Sequence, residues 1–371
     1  MTTTRNKFYL RRGVLGIAAA SLLTLLAVSS PAAAKVSGHG LAAVPSASAP
    51  TSDPLYVGDA ADNTIKQFDA QAGTLQGTFT GGSLHGPRGV LHLSDGRFLV
   101  ANQNVGLPVA GEIDQFDSAG KSLGALVPSS DPHAPFAPRG IILGPDKHTL
   151  YVADFGKDNI GAVEKYDAGS GKFLGKLNFD RWANSSVSNG EFHPRGLVFG
   201  PDGRLYLSLF SEKDFQHLGW VLSYDLKSGG VTLVASYDPA AGYTDCQRDL
   251  HRPEGLAFGP DGRLYVTSFR ATPTDVDRIL IFDTAIGACA GELDLDQVNQ
   301  PRAFAQYILF GPSGHLVVPI TGDPPNAGAV RQYAVSTKSF TNLVAPGGPL
   351  GSGWGLTFAH TNPTTLAYPS S

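Results

Sequence analysis

The sequence predicts an all-β fold: a six-bladed β-propeller of four-stranded antiparallel blades, with its ring closed by a C-terminal strand. The first observation is a phrase that returns along the chain, clearest in PRGLVFGPDGRLYLS at 194–208 and PEGLAFGPDGRLYVTS at 253–268. The second is a further strand after each copy, which ends in an aromatic residue and usually Asp. A unit that recurs roughly every 50 residues is typical of a repeat protein.

Each copy of the phrase is interpreted as two strands joined by a tight turn. Proline suits the first central position of the turn because its φ is preset, and Asp-Gly turns at little cost. Two further copies open with Pro87-Arg88-Gly89 and Pro138-Arg139-Gly140, and a degenerate copy has Ala305-Gln306-Tyr307 in place of Pro-x-Gly. The last copy begins at Gly353-Trp354-Gly355, near the C-terminus.

The number of third strands predicts six blades. These strands end at Phe68-Asp69, Phe116-Asp117, Tyr166-Asp167, Tyr224-Asp225, Phe282-Asp283 and Tyr333-Ala334. The N-terminal unit, which begins at Leu55, lacks a first strand, and residues 354–358 are expected to supply it. Ring closure of this kind removes exposed sheet edges. The alternative is a seven-bladed ring, in which residues 366–368 form an extra strand.

The first 34 residues are predicted to be a signal peptide. Basic residues precede an apolar run over 14–28, and Ala32 and Ala34 form an Ala-x-Ala cleavage site. The run of about 15 residues is short for a stable membrane anchor. The pair Arg11-Arg12 leaves both the general and the twin-arginine export route open. We expect a secreted or periplasmic protein cleaved near Ala34, with a flexible linker at 35–52 and the propeller at 53–371.

Composition limits the partners of the chain. With a formal net charge of −4 and 16% charged residues, it lacks the strongly basic face that nucleic-acid binding requires. Cys246 and Cys289 are the two cysteines, and in an exported chain they favour one disulfide. The predicted blades place them at opposite ends of a sheet, so unpaired cysteines are the alternative. We expect a monomer.

The repeated phrase resembles a known family. The Pro-x-Gly entry, the apolar run, the Asp-containing turn and LYVAD at 150–154 resemble NHL repeats and, more broadly, the SMP-30/gluconolactonase and regucalcin-like six-bladed propellers. The resemblance covers nearly all of the mature chain and implies a propeller. Such propellers include lactonases, lyases and binding scaffolds, so the fold alone does not decide the function.

The middle residue of each Pro-x-Gly is expected to face the channel mouth, on the side of the ring with the longer loops. The six aligned residues are Arg88, Arg139, Arg195, Glu254, Gln306 and Trp354. In lactonases of the resembling family, Glu, Asn and Asp at these positions bind a divalent metal, and here only Glu254 matches. A divalent cation about 8 Å from one guanidinium is disfavoured by roughly 4 kcal/mol at an effective dielectric near 20, and there are three. We therefore expect no metal and no other cofactor.

Three guanidinium groups at one mouth favour an anion instead. Their planar geometry matches carboxylate, phosphate or sulfate, and each charge-assisted hydrogen bond contributes roughly 1.5–3 kcal/mol. The sequence thus predicts a binding protein for an anionic small molecule, glycan or protein segment, without established catalysis. The alternatives are a purely structural scaffold with solvated arginines, or one in which Arg139 or Arg195 pairs with Glu254 or a loop aspartate.

Three histidines support an alternative function. His85, His193 and His251 stand one or two residues before a blade's first proline, where they suit a zinc ion or a catalytic base. With Glu254 they are the candidate catalytic residues of a lactonase-like hydrolase or a streptogramin-lyase-like enzyme on the same face. The competing interpretation is that these histidines pack within loops. Gly-x-Ser-x-Gly and His-Glu-x-x-His motifs are absent from the sequence.

Overall fold

The computed structural model is a six-bladed β-propeller, and the predicted fold class is confirmed. It describes residues 53–157, 160–183, 190–211, 218–238 and 240–369. The predicted signal peptide and linker lie outside the described residues. Helical structure in the described ranges is limited to α1 (Asp180–Ala183) and a 3-10 helix (Cys246–Asp249), and neither is long or apolar enough to cross a membrane.

The first three blades follow one another along the chain. Blade 1 contributes β1 (Leu55–Asp59), β2 (Thr64–Phe68) and β3 (Leu75–Thr78). Blade 2 contains β4 (Pro87–His92), β5 (Phe98–Asn102), β6 (Glu112–Phe116) and β7 (Ser122–Val127). Blade 3 contains β8 (Pro138–Leu143), β9 (Thr149–Asp154), β10 (Ala162–Asp167) and β11 (Phe173–Lys176).

The remaining blades repeat this order. Blade 4 contains β12 (Pro194–Phe199), β13 (Leu205–Phe210), β14 (Gly219–Tyr224) and β15 (Val231–Ser236). Blade 5 contains β16 (Pro253–Phe258), β17 (Leu264–Ser268), β18 (Arg278–Asp283) and β19 (Ala288–Asp294). Blade 6 contains β20 (Leu309–Phe310), β21 (Leu316–Ile320), β22 (Ala329–Ala334) and β23 (Ser339–Val344). The last strand, β24 (Gly353–Phe358), is the innermost strand of blade 1.

Pairing between the two ends of the chain closes the ring, as predicted. β24 runs antiparallel to β1, with Leu55 opposite Phe358 and Val57 opposite Leu356. Leu55, Val57 and Phe358 are fully buried, so the closing pair belongs to the core. β24 therefore pairs with the inner edge of β1, which would otherwise be open.

The seven-bladed alternative is wrong, because residues 366–369 form no strand. The segment after β24 instead crosses the face of the ring that carries the turns between first and second strands. There the Leu143 N–H donates to Pro363 O over 2.9 Å, and the Phe199 N–H donates to Thr364 O over 3.3 Å. Leu366 is 2% exposed and packs into the main apolar core.

A disulfide joins Cys246 to Cys289, with an S–S distance of 2.01 Å and a Cα–Cα distance of 5.8 Å. The expectation that the two cysteines lie at opposite ends of a sheet is wrong. The 3-10 helix that carries Cys246 packs against β18 and β19, the outer strands of blade 5. The connection that enters blade 5 therefore runs beside the outer edge of that blade before β16 begins.

Candidate functional site

The middle residues of the six Pro-x-Gly positions surround one small cavity on the ring axis. Its side-chain lining includes Arg88, Arg139, Arg195, Glu254, Gln306 and Trp354, which we call the axial ring. The cavity measures about 20 Å³, which is room for one water-sized group. The structure thus brings together every residue that the sequence aligned at this position.

The backbone around Pro-x-Gly explains why these side chains converge. In blades 2 to 5 the pairing of the first and second strands shifts register between the proline and the third residue after it. Such a bulge redirects a side chain. The glycine that follows allows neighbouring innermost strands to approach closely, since a Cβ at Gly140 would lie 2.7 Å from Arg195 O and one at Gly196 would lie 2.5 Å from Glu254 O.

Arg195 and Glu254 form a buried ion pair in the axial ring. Arg195 Nη1 lies 3.3 Å from Glu254 Oε1, and their side chains are 3% and 6% exposed. The guanidinium also lies between two aromatic rings, 4.4 Å from the centroid of Phe155 and 4.1 Å from that of Phe210. One of the pairings considered from the sequence is therefore present, and the single carboxylate of the ring is engaged.

Arg88 is held on the opposite side of the ring by stacking and one hydrogen bond. Its guanidinium carbon lies 3.2 Å from the centroid of Trp354, and its Nε donates to Gln103 Oε1 over 2.9 Å. Its Nη1 is buried without a hydrogen-bond acceptor among the described residues. Burial and the nearby charge of Arg139 lower the pKa of Arg88 well below its ordinary value, against the opposing effect of Glu254.

Arg139 and Gln306 complete the ring. Arg139 Nη1 donates to Gln306 Oε1 over 3.5 Å, and the guanidinium lies 5.4 Å from the Trp354 centroid. Gln306 is 6% exposed, and its Nε2 is buried without an acceptor in the described part of the chain. The ring therefore presents two buried N–H donors, one on Arg88 and one on Gln306, that lack an acceptor there.

The arginines of the axial ring differ in exposure, since Arg195 is buried and Arg88 and Arg139 are half-buried. Arg195, Glu254 and Gln306 are buried, and three positive charges face one negative charge across a cavity of molecular size. Low solvent access strengthens the electrostatic interactions of these charges. The arrangement favours a small negative group and opposes a cation.

The candidate histidines lie elsewhere. None of His85, His193 and His251 lines the axial cavity, which contains only Glu254 among the four candidate catalytic residues. His193 stacks on Phe155 with centroids 4.2 Å apart, and its Nδ1 lies 2.8 Å from Phe155 O. His85 is half-buried and contributes backbone hydrogen bonds, in which its N–H donates to Asn102 Oδ1 over 2.8 Å.

His251 belongs to a second cluster, with Asp249 and Asp275, whose possible ligand atoms lie within 4.8 Å of one another. A guanidinium already serves the two carboxylates, because Arg278 Nη1 lies 3.3 Å from Asp249 Oδ1 and 2.7 Å from Asp275 Oδ1. The positive charge of Arg278 beside both carboxylates opposes a bound metal ion. The sequence did not indicate this cluster, because Asp249 ends the 3-10 helix before β16 whereas Asp275 lies on the loop before β18.

The residues that support the axial ring were missed by the sequence analysis. Gln103, Phe155 and Phe210 contact its arginines, and each stands at the same place, at the end of a second strand or directly after it. The strings FLVANQ, LYVADF and LYLSLF, at 98–103, 150–155 and 205–210, align them. The same alignment that found the middle residue of Pro-x-Gly therefore contained a signal for this supporting layer.

No protein-family model matches the chain. Among curated proteins, the chain is 27% identical over 246 residues to the Arabidopsis thaliana protein SUPPRESSOR OF QUENCHING 1, chloroplastic. The aligned region is 57% of this chain and 22% of that protein, so the chain spans about a fifth of the relative's length.

Two solved structures share the fold. TolB from Acinetobacter baumannii superposes with a TM-score of 0.55 and 13% identity, over 84% of this chain and 67% of that chain. A catalytically inactive virginiamycin B lyase from Staphylococcus aureus, solved with quinupristin, gives a TM-score of 0.50 and 16% identity, over 84% and 93%. At these identities the likeness shows the propeller fold, and the function is argued from the site.

Proposed function

We propose that this protein is a binding protein whose axial ring takes a negatively charged group. The observation that carries the proposal is the pair of buried donors, Arg88 Nη1 and Gln306 Nε2, which lack an acceptor among the described residues. A buried donor without an acceptor costs about 1–3 kcal/mol, and more when it is charged. An anion at the axis satisfies both donors and offsets the excess positive charge.

The size of the cavity limits what enters it. About 20 Å³ is space for one water-sized group, so a halide ion or the end of a carboxylate fits and a whole sugar or nucleotide does not. Two charge-assisted hydrogen bonds contribute roughly 3–6 kcal/mol. A larger ligand is bound by its anionic end, and its remainder lies outside the ring.

A lactonase-like or lyase-like activity has less support than binding. Three of the four candidate catalytic residues, His85, His193 and His251, do not line the cavity that contains Glu254. His193 is engaged with Phe155, and His251 lies beside Asp275. These contacts favour the loop-packing interpretation of the histidines.

The proposal includes an exported, monomeric protein of the NHL-like type. The basic start, the apolar run and the Ala-x-Ala site support cleavage near Ala34. The recurring Pro-x-Gly phrase supports the relation to NHL repeats and to SMP-30/gluconolactonase-like propellers. N-terminal sequencing of the protein exported from expressing cells tests the cleavage, and a mature start near Lys35 is the expected result.

Calorimetric titration of the purified propeller with sodium acetate in low-salt zwitterionic buffer tests binding. The wild type should bind acetate at one site, and Arg88→Gln should weaken binding by tenfold or more, because it removes a charged donor. Arg263→Gln is the matched control, since Arg263 is a half-exposed arginine on a turn at the opposite face. Absence of binding to the wild type, or equal weakening by both variants, contradicts the proposal.

A further inference from the structure

Exposed apolar side chains lie on two neighbouring loops at the face of the axial ring. Val105, Leu107 and Val109 lie on the loop between β5 and β6, and Phe136 lies on the neighbouring loop before β8; they are 53%, 41%, 47% and 41% exposed. We call these four residues the rim patch. Four of the twelve large apolar side chains exposed in the described ranges belong to it, whereas five others are spread singly over the outermost strands. A cluster of this kind, unlike scattered side chains, indicates a contact surface.

The rim patch begins directly at Arg88. Gln103, at the start of the loop, accepts the hydrogen bond from Arg88 Nε. A Cβ placed on Gly86 would lie 2.6 Å from Val105 Cγ2 and 3.6 Å from Arg88 Nη2. The methyl group of Val105 and the guanidinium therefore flank the same point. Val105 is therefore the residue at which the rim patch adjoins the guanidinium of Arg88.

The loop that carries the patch is fixed by its own hydrogen bonds. Asn104 is 4% exposed, and its Nδ2 donates to Ala110 O over 2.8 Å across the base of the loop. The Leu107 N–H donates to Asn104 O over 3.0 Å, and the Gly111 N–H donates to Phe136 O over 3.0 Å, which joins the two loops. The apolar side chains are thus held outward by a closed loop. A preformed apolar surface binds without the cost of ordering it.

We infer that the ligand of the axial ring is an amphiphilic anion, an alkyl carboxylate whose hydrocarbon lies along the rim patch. The inference rests on the proposed function and adds the chemical class of the ligand. The cavity admits only the carboxylate, so the rest of the molecule lies outside it. On the side of Arg88 the adjoining surface is apolar, which suits an alkyl chain and does not suit the hydroxyl groups of a glycan.

Titration calorimetry with acetate, butanoate, hexanoate and octanoate, each below its micelle concentration, tests the inference. Full burial of one methylene contributes about 0.8 kcal/mol, or about fourfold in affinity. The rim patch covers only one side of the alkyl chain. We therefore expect the affinity to rise about twofold for each added methylene until the chain is longer than the patch.

Substitutions in the rim patch test whether it causes the dependence of affinity on chain length. The double variant Val105→Ser, Leu107→Ser should keep its affinity for acetate within twofold of the wild type and should lose the increase in affinity with chain length. Arg88→Gln should weaken the binding of all four carboxylates. Ile286→Ser is the matched control, because Ile286 is 75% exposed on a turn of the opposite face, and it should leave the series unchanged.

The outcomes separate the inference from the proposed function. If acetate binds and the series is flat, the inference is overturned and the anion site stands. A series that keeps its slope in the Val105→Ser, Leu107→Ser variant also overturns it, because the hydrocarbon then lies elsewhere. If no carboxylate binds the wild type, the proposed function fails as well. Binding of octanol as tight as that of octanoate overturns the amphiphilic ligand, since the charged end would then be unused.

Discussion

Single side chains decide the chemistry of the axial ring. Its one carboxylate, Glu254, is engaged by Arg195 in a buried ion pair, while Arg88 stacks on Trp354 and keeps a buried donor without an acceptor in the described part of the chain. A buried ion pair adds little net stability, but removal of one partner is costly because a charge is left without compensation. If the ring binds an anion as proposed, its stability should depend on what occupies it.

Glu254→Gln tests this dependence. The substitution leaves Arg195 buried beside a neutral amide, and we expect a loss of about 3–5 kcal/mol in the free energy of unfolding. Acetate should recover part of that loss, because the ring then contains three guanidiniums and no fixed carboxylate. Urea unfolding with and without acetate measures both effects. Glu292→Gln, on an outer strand of blade 5, is the control, and an equal response in the two variants would contradict the account.

Asp114 gives a pH prediction at the same scale. Burial, then the nearby Glu112, raise the pKa of Asp114 to about 6, although Asn102 Nδ2 donates to its Oδ2 over 2.9 Å. Because the folded pKa lies above the unfolded value, the folded state binds more protons between about pH 4 and 6, and stability falls as the pH rises through that window. Asp114→Asn should remove this fall. The free energy of unfolding of the variant relative to the wild type should therefore be about 2–3 kcal/mol higher at pH 8 than at pH 4. Unfolding curves at the two pH values test it, and a pH-independent difference between variant and wild type would refute it.

Alignment of the repeats predicted the axial ring because every ring residue occupies one position of a recurring phrase. The same alignment places Gln103, Phe155 and Phe210 at one position, but residues of mixed type stand there. The sequence therefore did not single them out, and their contacts with the arginines show the shared role. Asp249 and Asp275 were not predictable as neighbours, because the connections before β16 and β18 that bring them together have no repeated pattern.

At the scale of elements, the closing pair of strands depends on a buried aspartate. Asp59, at the end of β1, is fully buried and accepts the N–H groups of Gly351 and Ser352, each over 2.8 Å, as well as a hydrogen bond from Lys66. Burial acts to raise the pKa of Asp59, but the Gly351 N–H, Lys66 and the other donors outweigh it and hold the pKa below its ordinary value. This carboxylate connects β1 to the loop that leads into β24.

Asp59→Asn should therefore destabilise the closed ring by about 3 kcal/mol at neutral pH, because Lys66 loses its buried partner. The stabilisation from a carboxylate with a lowered pKa is complete above about pH 4 and is lost as the pH falls through the folded value. The difference between variant and wild type should thus shrink in acid. Asp62→Asn, which removes the half-exposed second partner of Lys66, should cost less than 1 kcal/mol. Equal losses for the two variants would contradict the role of Asp59.

The sequence predicted the strands of the blades but not the connections around blades 5 and 6. Hairpins with Gly-Pro-Asp-Gly turns carry strong local signals. By contrast, β20 is only two residues long, and blade 6 is entered through a segment in which Arg302 pairs with the buried Asp277, Nε to Oδ2 at 3.0 Å. The surroundings of the disulfide were not predictable for the same reason, because the connection before β16 determines which strands Cys246 contacts.

At the scale of the whole molecule, the two faces of the ring are formed by different parts of the chain. The axial ring lies at one face, and the C-terminal segment covers part of the other, where Leu366 enters the core. Tyr368 packs edge-on against Phe358 of the closing strand, with centroids 5.8 Å apart. The sequence pattern at 366–368 resembled a strand because its apolar side chains pack on the core, with Leu366 buried and Tyr368 half-buried, although the backbone makes no sheet there.

Leu366→Ala should lower the free energy of unfolding by about 2–4 kcal/mol through the cavity that it leaves. Acetate affinity should stay unchanged, because Leu366 lies away from the axial ring. Ile286→Ala, an exposed residue of the same face, is the control and should change stability by less than about 0.5 kcal/mol. Urea unfolding and acetate titration of the three proteins measure both quantities. A Leu366→Ala variant as stable as the wild type would show that the segment is not part of the core.

The central claim is that the axis of the propeller binds an anion through Arg88 and Gln306. Crystals of the wild type soaked in sodium bromide, with data collected at the bromine absorption edge, test it most directly. The account predicts an anomalous peak in the axial cavity, within hydrogen-bond distance of Arg88 Nη1 and Gln306 Nε2. An axial cavity that holds only water while bromide occupies other sites would contradict it.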